Sequence, residues 1–158
     1  MVYFIEMKRT IHGESAMKEL GEAIGRSIRG GEFIELIGDV GAGKTTLTKG
    51  IATGLGITDV VQSPTFTINR TYDSPLGVRL LHYDFYRLSE PGIMADELSE
   101  ALESGDQALV VEWGDIIADI VPADRLRITI TSPGVDIREV TLDAAGVKSQ
   151  RLLKEVTE

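Results

Sequence analysis

The chain contains no cysteine among its 158 residues. Disulfides, thiolate metal sites and cysteine nucleophiles are thereby excluded, and a reducing compartment is permitted. Positive charge is also scarce: 16 Lys and Arg stand against 25 Asp and Glu, for a formal net charge of −9. Such a chain attracts a polyphosphate backbone poorly through its overall field. A role near nucleic acid would have to work through a local basic patch or a partner protein, and DNA is not an expected ligand. The apolar runs are no longer than strands, so no membrane span is expected. Met1 to Lys8 lack a basic region ahead of an apolar core and do not read as a signal peptide. There is no repeat, low-complexity tract or linker. The expectation is a cytoplasmic protein of one domain, residues 1–158, long enough to bury a core without staples.

What is present centres on one stretch. Phe33 to Leu47 reads FIELIGDVGAGKTTL, an apolar run leading into Gly38-Asp39-Val40-Gly41-Ala42-Gly43-Lys44-Thr45-Thr46. This is G-x-x-x-x-G-K-T in its proper context, a strand before and a helix after. The glycines let successive amide N–H groups turn inward toward phosphate oxygens. Lys44 adds a cation for the β- and γ-phosphates, the Thr45 hydroxyl is placed to ligate Mg²⁺, and the helix aims its positive end at the same anion. Binding of a nucleoside triphosphate follows.

Around this loop the pattern predicts a mostly parallel α/β sheet with antiparallel edge strands and helices on both faces. Val2 to Lys8 reads as a first strand. Met17, Leu20, Ile24 and Ile28 have helical spacing, with Ser15 as N-cap and Gly30-Gly31 as stop. Phe33 to Ile37 is the second strand, in which Glu35 is out of place. The helix from Lys44 carries Leu47, Ile51 and Leu55 on one stripe, Gly50 and Gly54 allow a close neighbour, and Gly56 ends it. Thr67 to Tyr72 and Val78 to Tyr83 form an antiparallel hairpin. Pro91 to Glu103 is helical, and Ala108 to Val111 is the best candidate for the sheet centre. Asp115 to Ile120 is a short helix. Arg125 to Thr131 alternates and continues through Val140 and Leu142 as an antiparallel edge pair with one wet face. The tail, about 143–158, is a terminal helix that frays.

A phosphate loop needs carboxylates to hold Mg²⁺ and position water, and these belong at the carboxyl ends of neighbouring strands. Glu112 directly follows the apolar Val110-Val111, the arrangement of a Walker B acid. Asp84 ends a second apolar strand, with His82 two residues back on the same face and Tyr86 two residues on. Arg87 either neutralises phosphate charge or pairs with Asp84. Which of Asp84 and Glu112 is the principal metal-shell carboxylate is open. Ser63-Pro64-Thr65-Phe66 sits where nucleotide-sensing loops lie, and Thr65 is a candidate sensor of Mg²⁺ or the γ-phosphate. Trp113, the single tryptophan, should report on the site.

The phosphate loop, Ser63-Pro64-Thr65-Phe66, His82-x-Asp84-x-Tyr86-Arg87 and Glu112-Trp113, in this order and spacing, resemble the TsaE (YjeE) family, the ATPase of bacterial tRNA threonylcarbamoyladenosine biosynthesis. The resemblance implies a compact P-loop ATPase whose hydrolysis is weak in isolation. It would support the cycle of a TsaB–TsaD complex that modifies adenosine 37 of tRNAs reading ANN codons, so that tRNA is met through those partners. It implies that Lys44 contacts phosphates, that Thr45 and Glu112 hold Mg²⁺, that Asp84 serves catalysis or the metal shell, and that Ser63 to Phe66 form a switch. The stretch around Thr10, where adenine-side contacts would fall, and the tail after Leu142 match no pattern of the family, so the adenine-contacting residues are left open. A small-molecule kinase is the alternative, but Arg79 and Arg87 are the only basic residues between Asp73 and Arg125, too few for a phosphate-covering lid. A GTPase would carry an Asn-Lys-x-Asp motif, which is absent.

Overall fold

Among the described residues the elements run β1 (Ile5–His12), α1 (Gly13–Ser27), β2 (Phe33–Ile37), α2 (Lys44–Gly54), β3 (Asn69–Asp73), β4 (Arg79–Asp84), α3 (Met94–Ser104), β5 (Gln107–Glu112), β6 (Leu126–Thr131), β7 (Ile137–Ala144) and α4 (Val147–Thr157). The structure is a computed structural model describing residues 5–39, 41–62, 69–85, 94–112, 119 and 121–158. Expectations that fall elsewhere, including the Ser63 to Thr67 loop, Tyr86, Arg87, Trp113 and most of the 115–120 segment, lie outside the described residues.

All seven strands join one sheet, in the order β1-β7-β6-β2-β5-β4-β3. The three central pairs, β6 with β2, β2 with β5 and β5 with β4, are parallel. The outer pairs are antiparallel. The central strands are nearly continuous apolar runs, as burial on both faces requires. On one face Ile34, Leu80, Val110, Leu126 and Val140 pack with Ile24 of α1, Ile51 of α2 and Leu152 of α4. On the other, Phe33, Leu81, Leu109 and Val111 pack with Leu98 and Ala101 of α3. Helices thus lie on both faces. No helix among the described residues is long and apolar enough to cross a membrane.

The α1–α2 crossing leaves no room for side chains. A Cβ on Gly50 would lie 2.2 Å from the Lys18 carbonyl oxygen, and one on Gly54 would lie 2.3 Å from that of Glu22. The close approach expected of these glycines is therefore made to α1, and it fixes α2 and the loop that starts it.

Several expectations are corrected. The β6–β7 hairpin is antiparallel and wet on one face, where Arg127, Thr129, Thr141 and Asp143 remain partly exposed, but it is not an edge. β6 pairs with β2, and β1 closes the sheet against β7 along all of Ile5–His12. Alternation reports which face is buried and carries no information on which strand lies alongside. β2 takes the central place, with β5 beside it. β1 runs on to His12 instead of ending at Lys8, and α1 starts at Gly13, which puts Ser15 inside the first turn rather than at the cap. The terminal helix is docked on the sheet, with Leu152 and Leu153 buried in the main core. Glu35 is explained by Arg125 and Arg127, whose Nε atoms donate to its Oε2 at 3.2 and 3.3 Å.

Candidate functional site

The loop from Gly38 to Thr45 joins β2 to α2 at the carboxyl ends of the parallel strands. Gly43 caps α2 with φ 116°, a left-handed conformation that a side chain would strain. The Ala42 amide closes a turn onto the Asp39 carbonyl at 3.0 Å. Asp39 is exposed, Thr45 and Thr46 are half-buried, and Val40 lies outside the described residues. Lys44 is buried and folds back over the loop, its Nζ donating to the Gly38 carbonyl at 2.6 Å and standing 3.8 Å from Oε1 of Glu112.

Glu112 ends β5 and Asp84 ends β4, and the two are direct partners in the parallel register. Both carboxylates are buried. His82, fully buried, faces the same side of the sheet as Asp84, and its Nε2 lies 2.6 Å from Oε2 of Glu112. A carboxylate oxygen accepts, so Nε2 donates. That leaves Nδ1 without a hydrogen-bond partner among the described residues. The structure thus brings Lys44 to Glu112 and sets Asp84 beside Glu112 in the register, and His82 holds Glu112.

No cluster of three or more His, Cys, Asp or Glu suited to a metal occurs among the described residues. The donors available are the Thr45 hydroxyl and the carboxylates of Asp84 and Glu112. These described donors fit Mg²⁺, because this ion takes one or two carboxylates and completes its shell with phosphate oxygens and water.

Beside the loop lies a cavity of about 300 Å³, lined among others by Gly13, Met17, Gly43, Thr46, Asp136 and Arg138. It adjoins the phosphate loop through Gly41, Ala42 and Gly43. Thr10 is not among its lining residues and borders a separate cavity with Lys8 and Glu139. Arg138 and the β6–β7 turn carry no motif. They reach the loop only because β7 and β6 are laid beside β2, which no local pattern announces.

A family profile described as "Threonylcarbamoyl adenosine biosynthesis protein TsaE" matches residues 11–140. A "tRNA threonylcarbamoyladenosine biosynthesis protein TsaE" of Bacillus subtilis is 37% identical over 150 residues, which is 94% of this chain and 92% of that protein. One of the same description from Streptomyces coelicolor is 39% identical, over 82% of this chain and 91% of its own. The crystal structure of Bacillus subtilis YdiB superposes with a TM-score of 0.79 at 34% identity, covering 99% of this chain and 96% of the other.

Proposed function

The chain belongs to the TsaE family of threonylcarbamoyl adenosine biosynthesis proteins, and from that premise we propose that it is an Mg²⁺-dependent ATPase serving tRNA modification. The observation that carries this reading is the in-register pair Asp84 and Glu112 at the ends of β4 and β5, β5 being the strand beside β2 and its phosphate loop, with Lys44 between loop and carboxylate. In this reading the protein binds ATP in the cytoplasm, hydrolyses it slowly, and acts with a TsaB–TsaD complex that carries the tRNA. Binding and turnover bias a two-state switch that the partner reads.

Each residue has a stated task. Lys44 exchanges the Gly38 carbonyl for phosphate oxygens, and the amides at the start of α2, from Gly43 to Thr46, surround the same anion. Thr45, Asp84 and Glu112 would hold Mg²⁺, which supplies positive charge to the β- and γ-phosphates when bound. A carboxylate of the pair orients the attacking water, whose oxygen bonds to the γ-phosphorus as the bridging oxygen leaves with ADP. His82 keeps Glu112 from swinging away by donating to Oε2. Thr65 would sense the γ-phosphate.

The test is ATP hydrolysis by the purified protein, alone and with TsaB–TsaD and tRNA. Slow turnover that the complex stimulates, with Trp113 fluorescence responding to ATP, supports the switch. Turnover indifferent to the complex but raised by a small phosphate acceptor overturns it in favour of a kinase.

A further inference from the structure

Arg138 stands on β7, outside every motif, yet it touches the phosphate loop. Its Nε donates to the Ala42 carbonyl at 3.0 Å and its Nη2 to the Gly41 carbonyl at 3.5 Å. Its Nη1 is shared among the carbonyls of Gly134, Val135 and Ile137 at 3.1, 3.1 and 2.9 Å. One guanidinium thus joins two loops, the phosphate loop and the β6–β7 turn that walls the adjoining cavity. The same turn is tied to the start of α1, where the Gly13 amide donates to the Asp136 carbonyl at 2.8 Å.

The consequence follows from peptide geometry. In a trans peptide the C=O and the next N–H point in opposite directions. Drawing the Ala42 carbonyl outward to Arg138 therefore turns the Gly43 N–H the other way, away from Arg138. The neighbouring Gly41–Ala42 peptide is held similarly, its N–H being spent on the Asp39 carbonyl. At Gly43 the φ of 116° leaves the backbone no side chain to fix it, so an external anchor decides the orientation of the peptide. A planar, permanently charged fork with donors in several directions suits carbonyls from two segments, and a lysine ammonium does not match it.

We propose that Arg138 is a positioning residue for phosphate binding, which presets the Gly43 amide toward the anion and locks the phosphate loop to the β6–β7 turn. This rests on the reading of the loop as a nucleotide site. Arg138 touches no phosphate itself. It removes in advance the conformational cost of ordering the loop.

The test compares wild type, Arg138→Ala, Arg138→Lys and Lys44→Ala by calorimetric titration with ADP and with pyrophosphate, and follows the Gly43 amide resonance by NMR. Arg138→Ala should weaken both ligands about tenfold, the scale of one charge-assisted hydrogen bond. Its Gly43 resonance should shift in the free protein, and Arg138→Lys should restore only part of the affinity. A purely structural role would lower the melting temperature and leave the Gly43 resonance and the affinity of the folded protein in place. Affinity within about twofold of wild type, or an unmoved Gly43 resonance, overturns the proposal. If Arg138→Ala does not fold, Arg138→Lys decides on the same two readouts. Wild type that takes up neither ligand, and that Lys44→Ala does not change, overturns the nucleotide reading and this inference with it.

Discussion

Two buried carboxylates stand at opposite ends of the parallel strands, and the chain treats them differently. Glu32, just before β2, accepts from the Arg29 amide at 2.8 Å, the Gly30 amide at 2.7 Å and Nη2 of Arg151 at 2.6 Å. Its lone pairs are taken by groups that the fold brings for that purpose, and the result is a staple between α4 and the α1–β2 connection. Glu112, at the far end of β5, is held through Oε2 by His82. Oε1 stands 3.8 Å from the Lys44 ammonium, too far for a hydrogen bond, and Nδ1 of His82 has no partner among the described residues. A buried polar group left short of partners costs stability, so a fold tolerates it where something outside the chain completes it. The satisfied end is architecture. The unpartnered imidazole nitrogen lies at the end that we propose as the nucleotide site.

Lys44→Ala should abolish nucleotide binding, a loss on the order of 100-fold or more, and added nucleotide should no longer raise the melting temperature. Glu112→Ala, by contrast, should bind and lose Mg²⁺-dependent hydrolysis. Normal hydrolysis by Glu112→Ala would remove it from the Walker B role. At the other end, Glu32→Ala leaves the Arg29 and Gly30 amides without their acceptor, while Arg151 keeps Glu155 and the Ser27 carbonyl, and should cost about 2–3 kcal/mol. Thermal melts should show a drop of roughly 5–10 °C, with nucleotide affinity of the folded protein unchanged. Lost affinity in Glu32→Ala would mean that the two ends are coupled.

This difference was only half legible in the sequence. The phosphate loop, the strand-ending Asp84 and Glu112, and the helix from Lys44 are local patterns, and local patterns were enough to place them. His82 could be assigned to the face of Asp84 because side chains alternate along a strand. Its bond to Glu112 requires β4 and β5 to be neighbours, and so does the Asp84–Glu112 register. Arg138 at the loop, Glu35 between Arg125 and Arg127, and Glu32 under Arg151 all join residues about 90 or more positions apart. Strand order decides such contacts, and alternation does not encode it. That is also why the β6–β7 pair looked like an edge.

A smaller effect sharpens the picture of the architectural end. The cap of α4 falls on Gly146, which has no side chain to offer, and Asp124 supplies the acceptor from outside the helix. It takes the Lys148 and Ser149 amides at 2.9 and 3.0 Å. Desolvation pushes its carboxyl up, but these amides and Lys148 outweigh it, and the net shift is downward. The native state therefore holds fewer protons than the unfolded chain as pH crosses the carboxylate range. Its contribution is complete above that range and is lost as pH falls through the lowered native value. Asp124→Ala should cost about 1 kcal/mol at neutral pH, and denaturant melts should show the gap to wild type closing in acid. A gap independent of pH would mean that packing, and not the charged cap, is what the substitution removes.

The smallest effect tests the rule itself, because one more carboxylate is poorly partnered and is no site. Asp143 on β7 lies directly opposite Glu6 on β1. Partial desolvation and then the Glu6 carboxylate raise its carboxyl above the ordinary range, with Arg127 and Lys8 opposing them. Here the sign reverses: the native state holds its proton more tightly than the unfolded chain, so stability falls as pH climbs through the interval and the cost persists above it. Asp143→Asn should therefore stabilise, by about 0.5 kcal/mol at neutral pH given the wet surroundings, and the gain should vanish in acid once the native aspartate is protonated. The pair survives because water on the uncovered face of β6, β7 and β1 solvates what the chain leaves unpaired. Glu112 and His82 are buried and far less exposed to bulk water. If Asp143→Asn instead destabilised the fold, the Glu6–Asp143 pair would be a built contact. Imperfect partnering would then no longer separate site from scaffold, and burial together with imperfect partnering would have to be argued group by group.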